Sequence, residues 1–263
     1  MIVQIYEIQE PSEAQKCIEL GVDHMGSVLL SEDGWRVPSI KDVSELTNGT
    51  GVKNSLIPLF KTPDVIYRAL DFYRPHFVHF CDSLTDKEGA RIDLAWFIKL
   101  QSEVKKRFPE IGVIRSIPVP PKGASVSLPT LEIAEELEPV SDIFLTDTWL
   151  GVEPVEGYIG ITGKTVDWRT AKSLVSNSRI PVILAGGLSP FNVYEAMVET
   201  GAAGADSCTK TNMLDGNGRP VRFKKDFTRV EKFVNEVRRA GDEKAAMSRE
   251  GRGHYRANRL DHA

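Results

Sequence analysis

The stretch IPVILAGGLSPFNVYEAMVETGAAGADSCTKTN occupies residues 180–212 and decides how the rest of the chain is read. Its opening apolar run, residues 180–185, is too short for a helix and ends at Gly186-Gly187, the pattern of a fully buried parallel strand. Two residues without Cβ at the C-terminal end of such a strand let backbone N–H groups approach an anion closely. Ser189-Pro190 is then expected to start a helix whose positive end adds to the attraction. A second short strand, residues 204–207, follows that helix, so two adjacent strand ends face one loop cluster. In a (β/α)₈ barrel the loops after strands seven and eight are where phosphate most often sits. The plainer alternative is a glycine turn that only lets a helix pack closely on a sheet.

Length and composition are consistent with that fold. A chain of 263 residues suits a single α/β barrel, here expected over residues 1–240, with residues 241–263 expected as a flexible C-terminal tail. A formal charge of −4 with no basic stripe argues against a nucleic-acid partner. No charged-then-apolar leader and no apolar run of roughly eighteen residues is found, so no membrane partner is expected and a cytoplasmic location is. Cys17, Cys81 and Cys208 are odd in number and lack CxxC spacing, and five scattered histidines form no cluster. Neither a metal site nor a cofactor is expected.

Short apolar runs alternate with amphipathic segments along the chain, the signature of a parallel sheet with crossover helices. Strands are expected near residues 2–8, 24–30, 55–60, 77–81, 112–117, 143–146, 180–185 and 204–207. Helices are expected after Pro11 and near 39–46, 64–73, 94–108, 131–137, from 168, after 190 and over 227–239. Pro58 removes a ladder donor and belongs at a strand end or bulge. Eight strand–helix units match a closed barrel better than an open doubly wound sheet. The proline-rich segment 118–129 is expected to be a lid or an interface.

Two segments carry a specific resemblance. Gly160-Ile-Thr-Gly-Lys-Thr-Val-Asp-Trp168 and Pro181-Val-Ile-Leu-Ala-Gly-Gly-Leu-Ser-Pro190 with Asn192-Val193 resemble the GGTG-x-x-FDW and PVILAGGL-x-P-x-NV signatures of phosphoribosylanthranilate isomerases. Arg36 in Trp-Arg-Val-Pro-Ser, Asp147 in Leu-Thr-Asp and Asp206 in Gly-Ala-Asp are similar to further motifs of that family. The resemblance implies a ribulose-phosphate-binding (β/α)₈ TIM barrel that takes a phosphorylated, sugar-derived small molecule, with a homodimer as one possible assembly. It also implies an Amadori rearrangement of an aminoaldose to an aminoketose. Asp147 then matches the general acid, and Arg36, Thr162, Gly163, Gly186, Gly187, Asp206, Cys208 and Thr209 become expected substrate contacts.

The general base does not match. Where the family has K-I-C-G the chain has Gln4-Ile5-Tyr6-Glu7, so Tyr6 stands at the cysteine position. A phenol with a pKa near 10 is a poor base, and Glu7 alternates with Tyr6 along the strand, so only one of the two points inward. Cys81, where the family has a histidine, and Cys208 are the remaining candidates for a thiolate. Tyr6, Glu7, Cys81 and Asp147 are therefore the candidate catalytic residues. His79 reads as a satisfied core histidine, and Asp167 as a helix cap. The second functional reading is a binding or regulatory barrel that keeps the phosphate cradle and has lost catalysis.

Overall fold

The computed structural model describes residues 1–257, with side chains described through residue 246. Eight parallel strands close into a barrel in sequence order: β1 (Ile2–Tyr6), β2 (His24–Leu29), β3 (Lys53–Pro58), β4 (Phe77–Phe80), β5 (Gly112–Val119), β6 (Ile143–Thr148), β7 (Val182–Leu184) and β8 (Gly204–Ser207). The ring closes where β1 pairs with β8, in the register Gln4↔Asp206 and Ile5↔Ser207. Helices α1 (Pro11–Glu19), α2 (Pro38–Leu46), α3 (Pro63–Tyr73), α4 (Ala95–Arg107), α5 (Thr130–Leu137), α6 (Trp168–Asn177), α7 (Val193–Thr200) and α8 (Phe227–Ala257) follow the strands. The first three each begin with proline, which is pre-set for a helical first turn and has no N–H to leave unpaired there. The expected (β/α)₈ barrel is the fold found.

Outward strand residues such as Val3, Ile5 and Leu184 pack with Val230 and Phe233 of α8. Each such fully buried aliphatic side chain contributes about 1.5–3 kcal/mol of transfer free energy. At the base of the barrel, Arg238 of α8 donates to the carbonyls of Met1 and Gly21 and to Asp23, whose carboxylate also accepts the Val3 amide. The last helix therefore fastens the first strand.

Several boundaries differ from the sequence reading. β1 stops at Tyr6 because Glu7 takes φ 64°, a left-handed conformation that ends pairing. Pro58 is indeed the last residue of β3, whereas β5 continues through Pro118 to Val119. α7 begins at Val193, after a turn in which Asn192 Oδ1 accepts from the Ser189 amide and hydroxyl, so Ser189-Pro190 does not start the helix. The backbone stays helical through residue 257, and the end of the expected tail lies outside the described residues. Between β8 and α8 lies an unforeseen excursion: a 3₁₀ turn (Thr209–Thr211) and an antiparallel hairpin of β9 (Asn212–Leu214) and β10 (Pro220–Lys225).

Gly26 of β2 has a specific task. A Cβ placed on it would lie 1.9 Å from Cε1 of Tyr6, so the missing side chain is what lets the phenol ring lie across the barrel interior. We expect Gly26→Ala to lower stability in urea unfolding by about 1–3 kcal/mol, the usual range for overpacking. The loss should shrink in a Tyr6→Leu background, where the ring is gone. An undiminished loss there would rule out the ring as the cause.

Candidate active site

At the C-terminal end of the barrel two adjoining cavities share Asp147, Ile161, Asp206 and Cys208. The larger, about 590 Å³ including its open mouth, is walled by apolar groups such as Val28, Ile57, Leu145 and Tyr158. Tyr6, Glu7, Cys81 and Arg222 also line it. The smaller, about 340 Å³, is polar and lies among Thr162-Gly163, Gly186-Gly187 and the 3₁₀ turn with Thr209 and Lys210. The site therefore has an apolar end and an anion-shaped end, with two carboxyl groups where they meet.

The glycines at the anion-shaped end cannot be replaced without cost. Gly186 has φ 91° and Gly187 φ 60°, and a Cβ on Gly187 would sit 2.6 Å from backbone atoms of Lys164 and Thr165. The loop they press against is held by Thr148 Oγ1, which donates to the Lys164 carbonyl at 2.7 Å. It is held as well by the proline-rich segment, through Lys122 N–H to Thr165 O and Asp167 N–H to Pro120 O. Segment 118–129 thus braces the cradle from outside and lines neither cavity. Among the described residues no protein acceptor takes the amides of Thr162, Gly163, Gly186 or Gly187, and Lys210 adds the positive charge. Glycine-loop amides without protein partners beside a lysine are suited chemically to an anion. The N-terminus of α7 does not reach the cavity, and the 3₁₀ turn after β8 takes its place. Asp167 caps α6 by accepting from the Thr170 amide at 2.8 Å.

The two shared carboxyl groups differ in environment. Burial pushes Asp147 well above the ordinary carboxylic range, the Ser116 hydrogen bond opposes this, and the charges of Asp206 and Glu153 add to it. Burial likewise raises Asp206, to about 7, against a hydrogen bond from Gln4 and the charge of Lys225. Desolvation thus favours the protonated form of Asp147, while Asp206 is poised near neutrality to gain or lose a proton.

The other candidate bases are held in their neutral forms or tied up. Burial drives the Tyr6 phenol and the Cys81 thiol well up, and Cys208 too, so none is ionised near neutrality. Glu7 is ionised: burial raises its carboxyl, but Arg222, Asn212 and Lys225 together hold it below its ordinary value. Its oxygens accept from Arg222 Nε at 2.6 Å, Asn212 Nδ2 at 3.1 Å and the Phe223 amide at 3.2 Å. It serves as the anchor of the β9–β10 hairpin. That hairpin brings Arg222 to the apolar cavity with its Nη2 buried and unpartnered. Arg36, expected at the ligand, lines neither cavity; it is exposed and stacks on Trp35 and Phe72, 4.9 and 5.6 Å from their ring centroids. The signal for Arg222 was the Asp215-Gly216-Asn217-Gly218 turn, which announces a hairpin between two short β-prone runs.

Comparison with known proteins agrees with this geometry. The profile of N-(5'phosphoribosyl)anthranilate (PRA) isomerase matches residues 99–209, which include β6, the glycine loops and β8. A Sulfurihydrogenibium sp. N-(5'-phosphoribosyl)anthranilate isomerase is 25% identical over 243 residues, 90% of this chain and 99% of that protein. This chain is similar to phosphoribosylanthranilate isomerases, most densely over residues 99–209. The enzyme from Methanothrix thermoacetophila is 35% identical over 138 residues, 52% of this chain and 54% of that one. The chain spans about half the length of the archaeal relatives it matches. In fold it is similar to phosphoribosyl anthranilate isomerase from Thermotoga maritima, with TM-score 0.66, 20% identity and coverage of 90% and 99%. A complex of such an isomerase with reduced 1-(o-carboxyphenylamino)-1-deoxyribulose 5-phosphate gives TM-score 0.64 at 18% identity, again covering 90% and 99%.

Against that family background the departures sit on the site itself. Tyr6 stands where the phosphoribosylanthranilate isomerase pattern has cysteine. Ile161 replaces a glycine of the GGTG run and carries φ 60°, rare for a β-branched residue, where the two cavities meet. We expect inorganic phosphate to raise the melting temperature of the protein. Lys210→Ala should weaken that binding about tenfold, as loss of a charge-assisted contact does. Gly187→Ala, judged folded by circular dichroism, should abolish it. Retained phosphate stabilisation in Gly187→Ala would place the anion elsewhere.

Proposed function

We propose that this chain catalyses an Amadori-type aldose–ketose isomerisation of a phosphorylated aminopentose, the reaction of N-(5'-phosphoribosyl)anthranilate isomerases and hence a step of tryptophan biosynthesis. The observation that carries this reading is the pair of buried carboxyl groups between an anion cradle and an apolar cavity. The phosphate lies on the amides of Thr162, Gly163, Gly186 and Gly187. The aglycone lies against Val28, Ile57, Leu145 and Tyr158, with Arg222 supplying the guanidinium that Arg36 is too distant to supply. The pentose then bridges Asp147 and Asp206.

Asp147, whose protonated form desolvation favours, acts as general acid at the ring oxygen; the C1–O bond breaks and an imine forms at C1. A base then takes the C2 proton, the C2–H pair forms a C1–C2 double bond as the C=N pair returns to nitrogen, and tautomerisation of the resulting enaminol gives the ketose. Asp206 is the base that suits this site, since Tyr6, Cys81 and Cys208 are un-ionised and Glu7 is committed to Arg222. Its raised pKa brings a carboxylate closer to the strength a carbon acid demands.

The test is complementation of a tryptophan auxotroph lacking this isomerase, with a direct assay alongside. Wild type should restore growth, and Asp147→Asn and Asp206→Asn should each lower turnover about 10²–10⁴-fold. The value of kcat/KM should rise with pH through about 7 as Asp206 loses its proton, then fall at higher pH as Asp147 loses its own. Phosphate binding without turnover or growth would favour the non-catalytic barrel instead.

A further inference from the structure

Five side chains on five strands form one unbroken hydrogen-bonded line across the barrel. Ser55 Oγ of β3 donates to Tyr6 Oη of β1 at 2.9 Å, and Tyr6 Oη meets His79 Nδ1 of β4 at 2.6 Å. His79 Nε2 meets Ser116 Oγ of β5 at 2.8 Å, and Ser116 Oγ donates to Asp147 Oδ2 of β6 at 2.7 Å. The imidazole is neutral, because burial and the charge of Arg115 push its pKa down to about 3. It therefore has one N–H to give.

Counting protons along the line leaves two polarities, and one of them gives every hydroxyl hydrogen a short acceptor. Ser116 spends its hydrogen on Asp147, so it must accept from His79, whose proton is then on Nε2. Nδ1 is left as a lone pair and takes the Tyr6 hydrogen, and Tyr6 accepts from Ser55. The opposite polarity requires a proton on Asp147 Oδ2 and leaves the Ser55 hydroxyl only the Met25 carbonyl at 3.5 Å. The other oxygen, Oδ1, lies beside Gly160, where a Cβ would come within 2.9 Å of it, so the glycine keeps it uncovered on the cavity wall.

We propose that Ser55, Tyr6, His79 and Ser116 are a positioning line for Asp147. They fix Oδ2 as an acceptor, reserve Oδ1 for the transferable proton, and stabilise the carboxylate left once that proton is given up. Tyr6, at the position where the family motif has its cysteine, is on this account a positioning residue for the acid and takes no proton from substrate. The polarity of the line rests on its hydrogen-bond distances together with a neutral imidazole; its catalytic consequence rests on the acid role proposed above. The other titratable or charged neighbours are Asp206 on β8, Glu153 in the loop after β6, Cys81 just beyond β4, Arg115 on β5 and Arg222 on the hairpin. All five are retained in the variants that test the line.

The experiment combines two-bond ¹⁵N NMR of His79 with a ¹³C titration of the Asp147 carboxyl in the full chain. His79 should be the neutral Nε2–H tautomer and should not titrate from roughly pH 5 to 8. Ser116→Ala should raise the Asp147 midpoint by about one unit, and Tyr6→Phe should raise it by less. The Tyr6→Phe shift should vanish in a Ser116→Ala background, since the line is already cut. Tyr6→Phe keeps the ring over Gly26, so packing is preserved. An Nδ1–H tautomer, or a Tyr6→Phe shift of equal size in both backgrounds, would overturn the proposal. Both readouts hold for a protein without turnover, so failure of the line and failure of the isomerase reading are told apart.

Discussion

A polar group inside a closed barrel has to find its partner on another strand, because water is excluded and its own strand's backbone is already paired. That constraint organises this molecule. Each unmade hydrogen bond in such a place costs about 1–3 kcal/mol, so the polar residues of the interior are coupled by necessity. Gln4 spans from Asp206 to His24, Thr146 bonds the backbone of Ala185, and the line from Ser55 to Asp147 crosses β3, β1, β4, β5 and β6. Closing the barrel and building the acid are one event.

The same constraint explains which groups are available for chemistry. Desolvation acts on every titratable side chain in the cavity, but only the carboxyl groups are moved into a useful range. It lifts Asp206 to about 7 and takes the thiols and the phenol out of reach. A site that has exchanged cysteine for tyrosine at the end of β1 has therefore also changed which kind of group can accept a proton. The room for that exchange comes from Gly26 on the neighbouring strand, a compensation two strands wide.

Most of the barrel was legible in the sequence because parallel strands buried on both faces are short apolar runs, and helices between them keep their own period. The glycine loops at residues 160–163 and 186–187 were legible for the same physical reason: backbone approach to an anion demands residues without Cβ. What could not be read was anything that depends on which strands are neighbours in space. His79 looked like a core histidine and is one, yet its two partners lie 73 and 37 residues away. Arg36 has the charge and fork for a ligand and lies on the wrong side of Trp35. Arg222 gave no signal of its own, because its importance comes from a hairpin whose turn was visible and whose docking was not.

The Glu7 clasp on that hairpin has a consequence for assembly. One wall of the apolar cavity is set by the first residue beyond β1, and the group that neutralises it arrives 215 positions later. The lining of the cavity is therefore incomplete in an N-terminal fragment that stops short of Arg222, even one that contains all eight strands of the ring. In a growing chain the Glu7 carboxylate stays without its guanidinium partner until Arg222 has been added, so the apolar wall of the cavity is completed by one of the last strands rather than by closure of the ring.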